Sequence, residues 1–215
     1  IEFDQVSHLG RLVIQMVRLN VGFAGYPALI EEVNLQVRAS QRIAFIGPNG
    51  SGKTTLLRTL AGQLPPLAGR IQLGSSVKLG LMSQDVRSLQ EAQSALDHVG
   101  EFFPNQTEAR RFLGYSLLSG DEVLKPVGQL SLGQRARLQL ALLVIGGCNV
   151  LLLDEPLNHL DILSRTQFEQ ALQTFKGTIL MVVHDRYFIE RFAQEVWQVK
   201  DKKISQRGNP LSDAW

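Results

Sequence analysis

Apolar residues recur along this chain with two different periods, and the period changes with position. Between Leu12 and Val37 they alternate with polar residues in short runs, Leu12-Val13-Ile14-Gln15-Met16-Val17 and Val33-Asn34-Leu35-Gln36-Val37. Gly22, Gly25 and Pro27 punctuate these runs, a spacing that predicts antiparallel strands joined by turns. Residues 42–46 have the length and β-branching of a buried strand, and 47–52 form a glycine-rich turn. A helix over 53–60 then carries Leu56, Leu57 and Leu60 on one face. Pro65-Pro66 stops helical structure, and short strands follow at 70–73 and 77–82.

From about residue 88 to 145 the period becomes helical. Helices are expected over 89–99, 107–118 and 132–145, the last with Ser131 as its N-cap. Strands resume at 150–153 and 178–183 around a helix near 162–175. The tail reads as a hairpin of 195–199 and 202–206 that turns at 200–202. Strands, then helices, then alternating strand and helix predict an α/β core with a helical insertion and a small β layer.

Composition changes this picture little. The chain has 215 residues, 44% hydrophobic and 20% charged, which suits a folded chain with a real core and excludes wholesale disorder. Its net charge of +2 gives no domain-wide argument for nucleic-acid binding. Arg110-Arg111, Arg135 and Arg137 are local basic spots on the insertion, fit to touch RNA phosphates or to be ordinary solvated helix faces. A single cysteine, Cys148, excludes an internal disulfide framework and any cysteine-based metal cluster, and its apolar surroundings read as those of a small buried hydrophobe. No apolar run approaches the ~20 residues of a membrane span. The start, Ile1-Glu2-Phe3-Asp4, has neither a basic nor an apolar leader region, so no signal peptide is expected. Without an initiator methionine the chain reads as a fragment or processed product.

Two constellations carry chemistry. Gly47-Pro48-Asn49-Gly50-Ser51-Gly52-Lys53-Thr54 matches the full G-x-x-x-x-G-K-[ST] pattern between a strand and a helix. Glycines let the backbone N–H groups point inward as an anion nest, and the helix start adds its positive dipole end. Lys53 would reach the β- and γ-phosphates and the Thr54 hydroxyl would ligate Mg²⁺. Val150-Leu151-Leu152-Leu153-Asp154-Glu155 is an apolar strand ending in two carboxylates. At the carboxyl end of a doubly wound sheet Asp154 would hold Mg²⁺, and Glu155 would act as general base on an attacking water.

Leu130-Ser131-Leu132-Gly133-Gln134 opens the long helix shortly before that strand. At this point the sequence resembles the ABC ATPases. Their phosphate loop, Q-loop, signature, acidic strand, D-loop and switch histidine correspond in order to residues 47–54, Gln84, 130–134, 150–155, 158–161 and His184. The resemblance covers nearly the whole chain. Leu132 departs from it, because the family usually has a glycine there; Ser131 and Gly133 remain. The resemblance implies a single ABC nucleotide-binding domain over 1–215, with a helical subdomain at about 86–145. It has a P-loop NTPase core of mainly parallel sheet, an antiparallel β subdomain and an α-helical insertion.

The resemblance also implies a mechanism. ATP and Mg²⁺ are bound, with Thr55 joining residues 47–54 on the phosphates and with Thr54, Gln84 and Asp154 around the metal. Glu155, His184 and Gln84 serve hydrolysis. Ser131, Leu132, Gly133 and Gln134 act in trans on ATP held by a second domain, either in the same parent chain or in a homodimer. Asp161 links the two sites, or is an ordinary helix N-cap. Tyr26 is the preferred aromatic for stacking on adenine and Phe23 its competitor, although both could instead be core of the β layer.

Two stretches narrow the class. Glu155-Pro156-Leu157-Asn158-His159-Leu160-Asp161 and His184-Asp185-Arg186-Tyr187-Phe188-Ile189 resemble the versions found in the ABC-F proteins, and the compact stretch from Gln84 to Ser131 leans the same way. That resemblance implies a cytoplasmic ATPase without membrane insertion, acting on ribosomes in translation or in antibiotic resistance. The alternatives are the ATPase subunit of a membrane transporter and, prompted by Leu132, a nucleotide-dependent module that does not hydrolyse.

Overall fold

The computed structural model describes residues 12–82 and 89–207. The described residues fall into two compact units, one from 12–81, 149–155 and 177–207, the other from 82, 89–148 and 156–176. In order, the chain runs β1 (Leu12–Val21), β2 (Ile30–Arg38), β3 (Arg42–Ile46), α1 (Lys53–Leu60), β4 (Ala68–Leu73) and β5 (Leu79–Met82). It continues through α2 (Ala95–Gly100), α3 (Gln106–Tyr115), 3-10 turns at Gly120–Leu124 and Val127–Gln129, and α4 (Leu132–Ile145). β6 (Val150–Asp154), α5 (Ile162–Gln173), β7 (Thr178–Val182), α6 (Arg186–Phe192), β8 (Glu195–Lys200) and β9 (Lys203–Arg207) follow.

The first unit holds two sheets. β2, β1 and β4 form an antiparallel layer, as the alternation predicts. Arg18 and Glu32 sit in left-handed backbone at a register shift between β1 and β2. The irregularity resets the pleat, so Ile30 and Val33, three apart, both face inward. The second sheet has the order β5-β6-β7-β3-β8-β9. β6, β7, β3 and β8 run parallel, and β9 closes the edge antiparallel to β8. Residues 150–153 and 179–182 are buried throughout, which is why their sequence is continuously apolar rather than alternating. Phe45 of β3 and Asp154 of β6 both pair with Val182 of β7, so the carboxyl ends of these three strands lie level. That row fixes the site.

α6 is absent from the sequence expectation. It spans two turns, is capped by Asp185 Oδ1 accepting from Phe188 N at 3.0 Å, and buries Phe188, Ile189 and Phe192. The Arg42 guanidinium lies 4.3 Å over the Phe192 ring.

The second unit is helical. Leu96, Val99, Ala109, Leu113, Leu118, Val123, Val127, Leu130 and Leu138 form its core. Two expected helices are shorter than their apolar spacing suggests. The helix expected over 89–99 begins at Ala95, because Ser94 and Asp97 form a reciprocal capping box that starts it there. Leu89 is nonetheless buried in the same core. The helix expected over 107–118 ends at Tyr115; Leu117 turns into left-handed backbone and Leu118 returns its N–H to the Leu113 carbonyl at 3.1 Å.

Cys148 is half-buried rather than fully enclosed, since it follows the exposed pair Gly146-Gly147. The basic spots also divide. Arg137 is buried, and Arg135 donates to the Gly128 and Leu130 carbonyls at 2.6 and 3.1 Å. Arg110 and Arg111 alone of the four are exposed. Among the described residues no helix is long and apolar enough to cross a membrane.

Candidate functional site

The first unit gathers its polar groups at the carboxyl ends of β3, β6 and β7. After β3 the chain turns through 47–52 into α1. Gly47 has φ 148°, and a Cβ there would run into the Val199 carbonyl oxygen. Pro48, Asn49 and Gly50 are exposed, whereas Lys53 and Thr55 are buried. Lys53 Nζ donates to the Gly47 and Pro48 carbonyls at 2.9 and 2.8 Å, so the ammonium is held inside its own loop. Burial pulls the Lys53 amine below its ordinary pKa, and the Glu155 and Asp154 carboxylates oppose this. Ser51 Oγ is buried without a hydrogen-bond partner, a polar atom aimed at the loop with nothing to bond.

After β6 come the two carboxylates. Thr54 Oγ1 donates to Asp154 Oδ1 at 2.9 Å. Burial pushes the Asp154 carboxyl above the usual carboxylate range; Thr54, Arg58 and Lys53 pull it back, while Glu155 pushes it further. Glu155 has φ 51°, a left-handed conformation that costs a non-glycine residue. Its N–H is fixed on the Val182 carbonyl at 2.9 Å. This kink brings Glu155 Oε1 to 3.4 Å from Nε2 of His184, which stands just beyond β7 and is half-exposed. A buried lysine in an amide-rich loop, an orphaned hydroxyl and a Thr–Asp pair fit a polyphosphate and a hard divalent cation. The Glu155–His184 pair stands beside them, a carboxylate and an imidazole within reach of each other.

Gln84 lies outside the described residues. Tyr26 and Phe23 stand on the turn after β1, joined by the Tyr26 N–H to the Phe23 carbonyl at 3.1 Å. They are 74% and 49% exposed, so neither belongs to the core of the β layer.

The second unit carries the remaining candidates. Ser131 caps α4 in a capping box: its Oγ accepts from Gln134 N at 3.2 Å, and Gln134 Oε1 accepts from Ser131 N at 2.8 Å. Leu132 is 52% exposed at this helix start, while Gly133 faces inward against α5. A Cβ on Gly133 would overlap Cβ and Oγ of Ser164. Asp161 caps α5, accepting from Ser164 N at 2.8 Å and Ser164 Oγ at 3.0 Å, and these bonds hold its carboxyl below the usual range. Ser164 is a residue that sequence reasoning missed. Its signal is the Asp161-x-x-Ser164 spacing, where a cap meets its donor.

Residues 30–158 match the family model described as ABC transporter, and the chain belongs to that family of ATP-binding domains. The putative ATP-binding protein YdiF of Bacillus subtilis is 41% identical over 206 residues, covering 95% of this chain and 32% of that protein. Protein GCN20 of Saccharomyces cerevisiae is 36% identical over 199 residues, covering 91% of this chain and 26% of that protein. These relatives are ABC-F proteins, in keeping with the resemblance of residues 155–161 and 184–189. The chain spans about a third of the length of the relatives it matches. A solved structure of cbiO1 from Clostridium perfringens, described as part of the ABC transporter complex cbiONQ, shares the fold with TM-score 0.76. At 23% identity it covers 94% of this chain and 90% of that one.

Proposed function

We propose that this chain is an ATP-hydrolysing cassette of an ABC-F-type protein, paired head to tail with a second cassette and acting on ribosomes. The observation that carries hydrolysis is the Glu155–His184 pair at 3.4 Å beside the Thr54–Asp154 pair. Residues 47–55 cradle the triphosphate through backbone N–H groups, the Ser51 hydroxyl and the Lys53 ammonium. Tyr26, with Phe23 as second choice, offers an aromatic face to the adenine. Thr54 and Asp154, joined by Gln84, would hold Mg²⁺, which supplies charge neutralisation on the phosphates. Glu155 takes a proton from the attacking water as its oxygen bonds to the γ-phosphorus; the bond to the β-bridging oxygen breaks and ADP leaves. His184 orients Glu155 and donates towards the γ-phosphate. Ser131, Gly133 and Gln134 present a helix N-terminus to the partner's ATP, with Leu132 beside them, and Asp161 stands at the link between sites.

The ribosomal role rests on the ABC-F relatives and on the exposed Arg110-Arg111 pair. It extends to antibiotic resistance for the class as a whole, and it places the protein in the cytoplasm. The transporter reading rests on the description of the family model, which covers the ATP-binding domain only, and on a likeness to cbiO1 that shows fold alone.

The test uses the natural full-length protein. Glu155→Gln should still bind ATP, while hydrolysis falls roughly 10²–10⁴-fold. With ATP it should co-sediment with ribosomes more than wild type does. Wild-type turnover in the variant would remove Glu155 as the base, and no ATP-dependent co-sedimentation would remove the ribosomal role.

A further inference from the structure

Arg137 has no part in the chemistry above. It lies in α4 with 3% of its surface exposed, and its Nε and Nη1 are buried without a hydrogen-bond partner. A guanidinium cannot shed its proton, so such a charge is strongly unfavourable unless nearby carboxylates compensate it.

The helix geometry says where that charge points. Gly133 lies four residues earlier, on the same face of α4. Helical side chains lean towards the N-terminus, so the Arg137 stem runs back to the turn where Gly133 admits Ser164. Ser164 holds both carboxylate oxygens of Asp161. α4 and α5 pack on each other within one unit, so the buried Arg137 and the Gly133–Ser164 contact share one helix pair.

We propose that Arg137 is a positioning residue whose buried charge holds the Asp161 carboxylate, and with it segment 158–161, in register with the helix start at 131–134. The carboxylates of Glu122 and Asp161 favour the charged guanidinium, against the burial that pulls it below its ordinary value. Its importance rests on the reading that both segments serve the paired-cassette ATPase. A displacement at Asp161 is then felt at Ser131 through one buried charge, without any contact with nucleotide.

Amide hydrogen exchange on the full-length protein tests this without turnover. Arg137→Met should speed exchange over 158–165 about tenfold, while 106–115 in the same unit changes less than about twofold. Arg137→Lys, which keeps the charge, should stay near wild type. Asp161→Asn keeps an equally good cap acceptor and removes only the charge, so it should also speed exchange at Ser164. A uniform rise across the unit in Arg137→Met, a lysine variant as fast as methionine, or an unchanged Ser164 amide in Asp161→Asn each overturns the proposal. Should Arg137→Met fail to fold, the lysine and asparagine variants decide the matter. Failure of ATP hydrolysis with these exchange results intact would count against the function proposed above, not against Arg137.

Discussion

At Asp154 burial works against the ionised carboxylate, and at Lys53, one residue before Thr54, it works against the ammonium. The signs are opposite. The native Asp154 pKa lies above the unfolded one, so between them the native state binds more protons and stability falls as pH rises. The native Lys53 pKa lies below the unfolded one, so in that interval the unfolded chain binds more protons and stability rises with pH. Wherever both groups are ionised, both charges strain the fold. Asp154→Asn keeps an oxygen for the Thr54 hydroxyl and removes one of these charges. Denaturant titrations without nucleotide should therefore show it more stable than wild type at pH 7, with a flatter profile on the acid side. The same variant should lose the extra stability that Mg²⁺ with ATP gives wild type. A less stable Asp154→Asn at pH 7 would contradict the burial argument.

The start of α4 shows how one element depends on another. Gly133 is needed for close approach, since any Cβ would overlap Ser164. Gly133→Ala should cost about 1–3 kcal/mol by overpacking, and Gly133→Ala with Ser164→Gly should recover much of that loss in thermal melts. An additive loss in the double variant would show that the glycine serves something other than this contact. The boundaries of α4 were legible in the sequence because cap and apolar period agree: Ser131 and Gln134 close the box in which the run begins. Around 89–99 and 107–118 the period was misleading. Leu89 and Leu118 fall on the helical spacing and are buried, yet neither is helical. Periodicity there records which residues face the core, and local capping at Ser94 and the left-handed turn at Leu117 decide where the helix lies. α6 was missed because two turns give too little periodicity, although Asp185 marks its start.

For the molecule as a whole, the strand order β6-β7-β3 brings the acidic strand, the histidine strand and the glycine-rich turn side by side. The motifs were readable one by one. Their adjacency was not, because it depends on parallel pairing between strands more than a hundred residues apart, such as Phe45 with Val182. Likewise, no composition could show that Arg137 is enclosed while Arg110 is exposed. The glycine-rich turn, both carboxylates and His184 belong to one unit, whereas Ser131 and Asp161 belong to the other. A cassette that completes its partner's site should hydrolyse ATP cooperatively. For the isolated chain, specific activity should climb with protein concentration, and Glu155→Gln with ATP should sediment as a dimer. Specific activity independent of concentration would show that one cassette suffices.

The left-handed backbone at Glu155 has a practical corollary. Glycine, or asparagine, tolerates that conformation better, by about 1 kcal/mol for a strained residue. A laboratory selection for heat resistance would thus be drawn to position 155 and would reward well-folded proteins stripped of their proposed base. Anyone evolving a hardier version of this cassette should lock that codon and score turnover alongside melting.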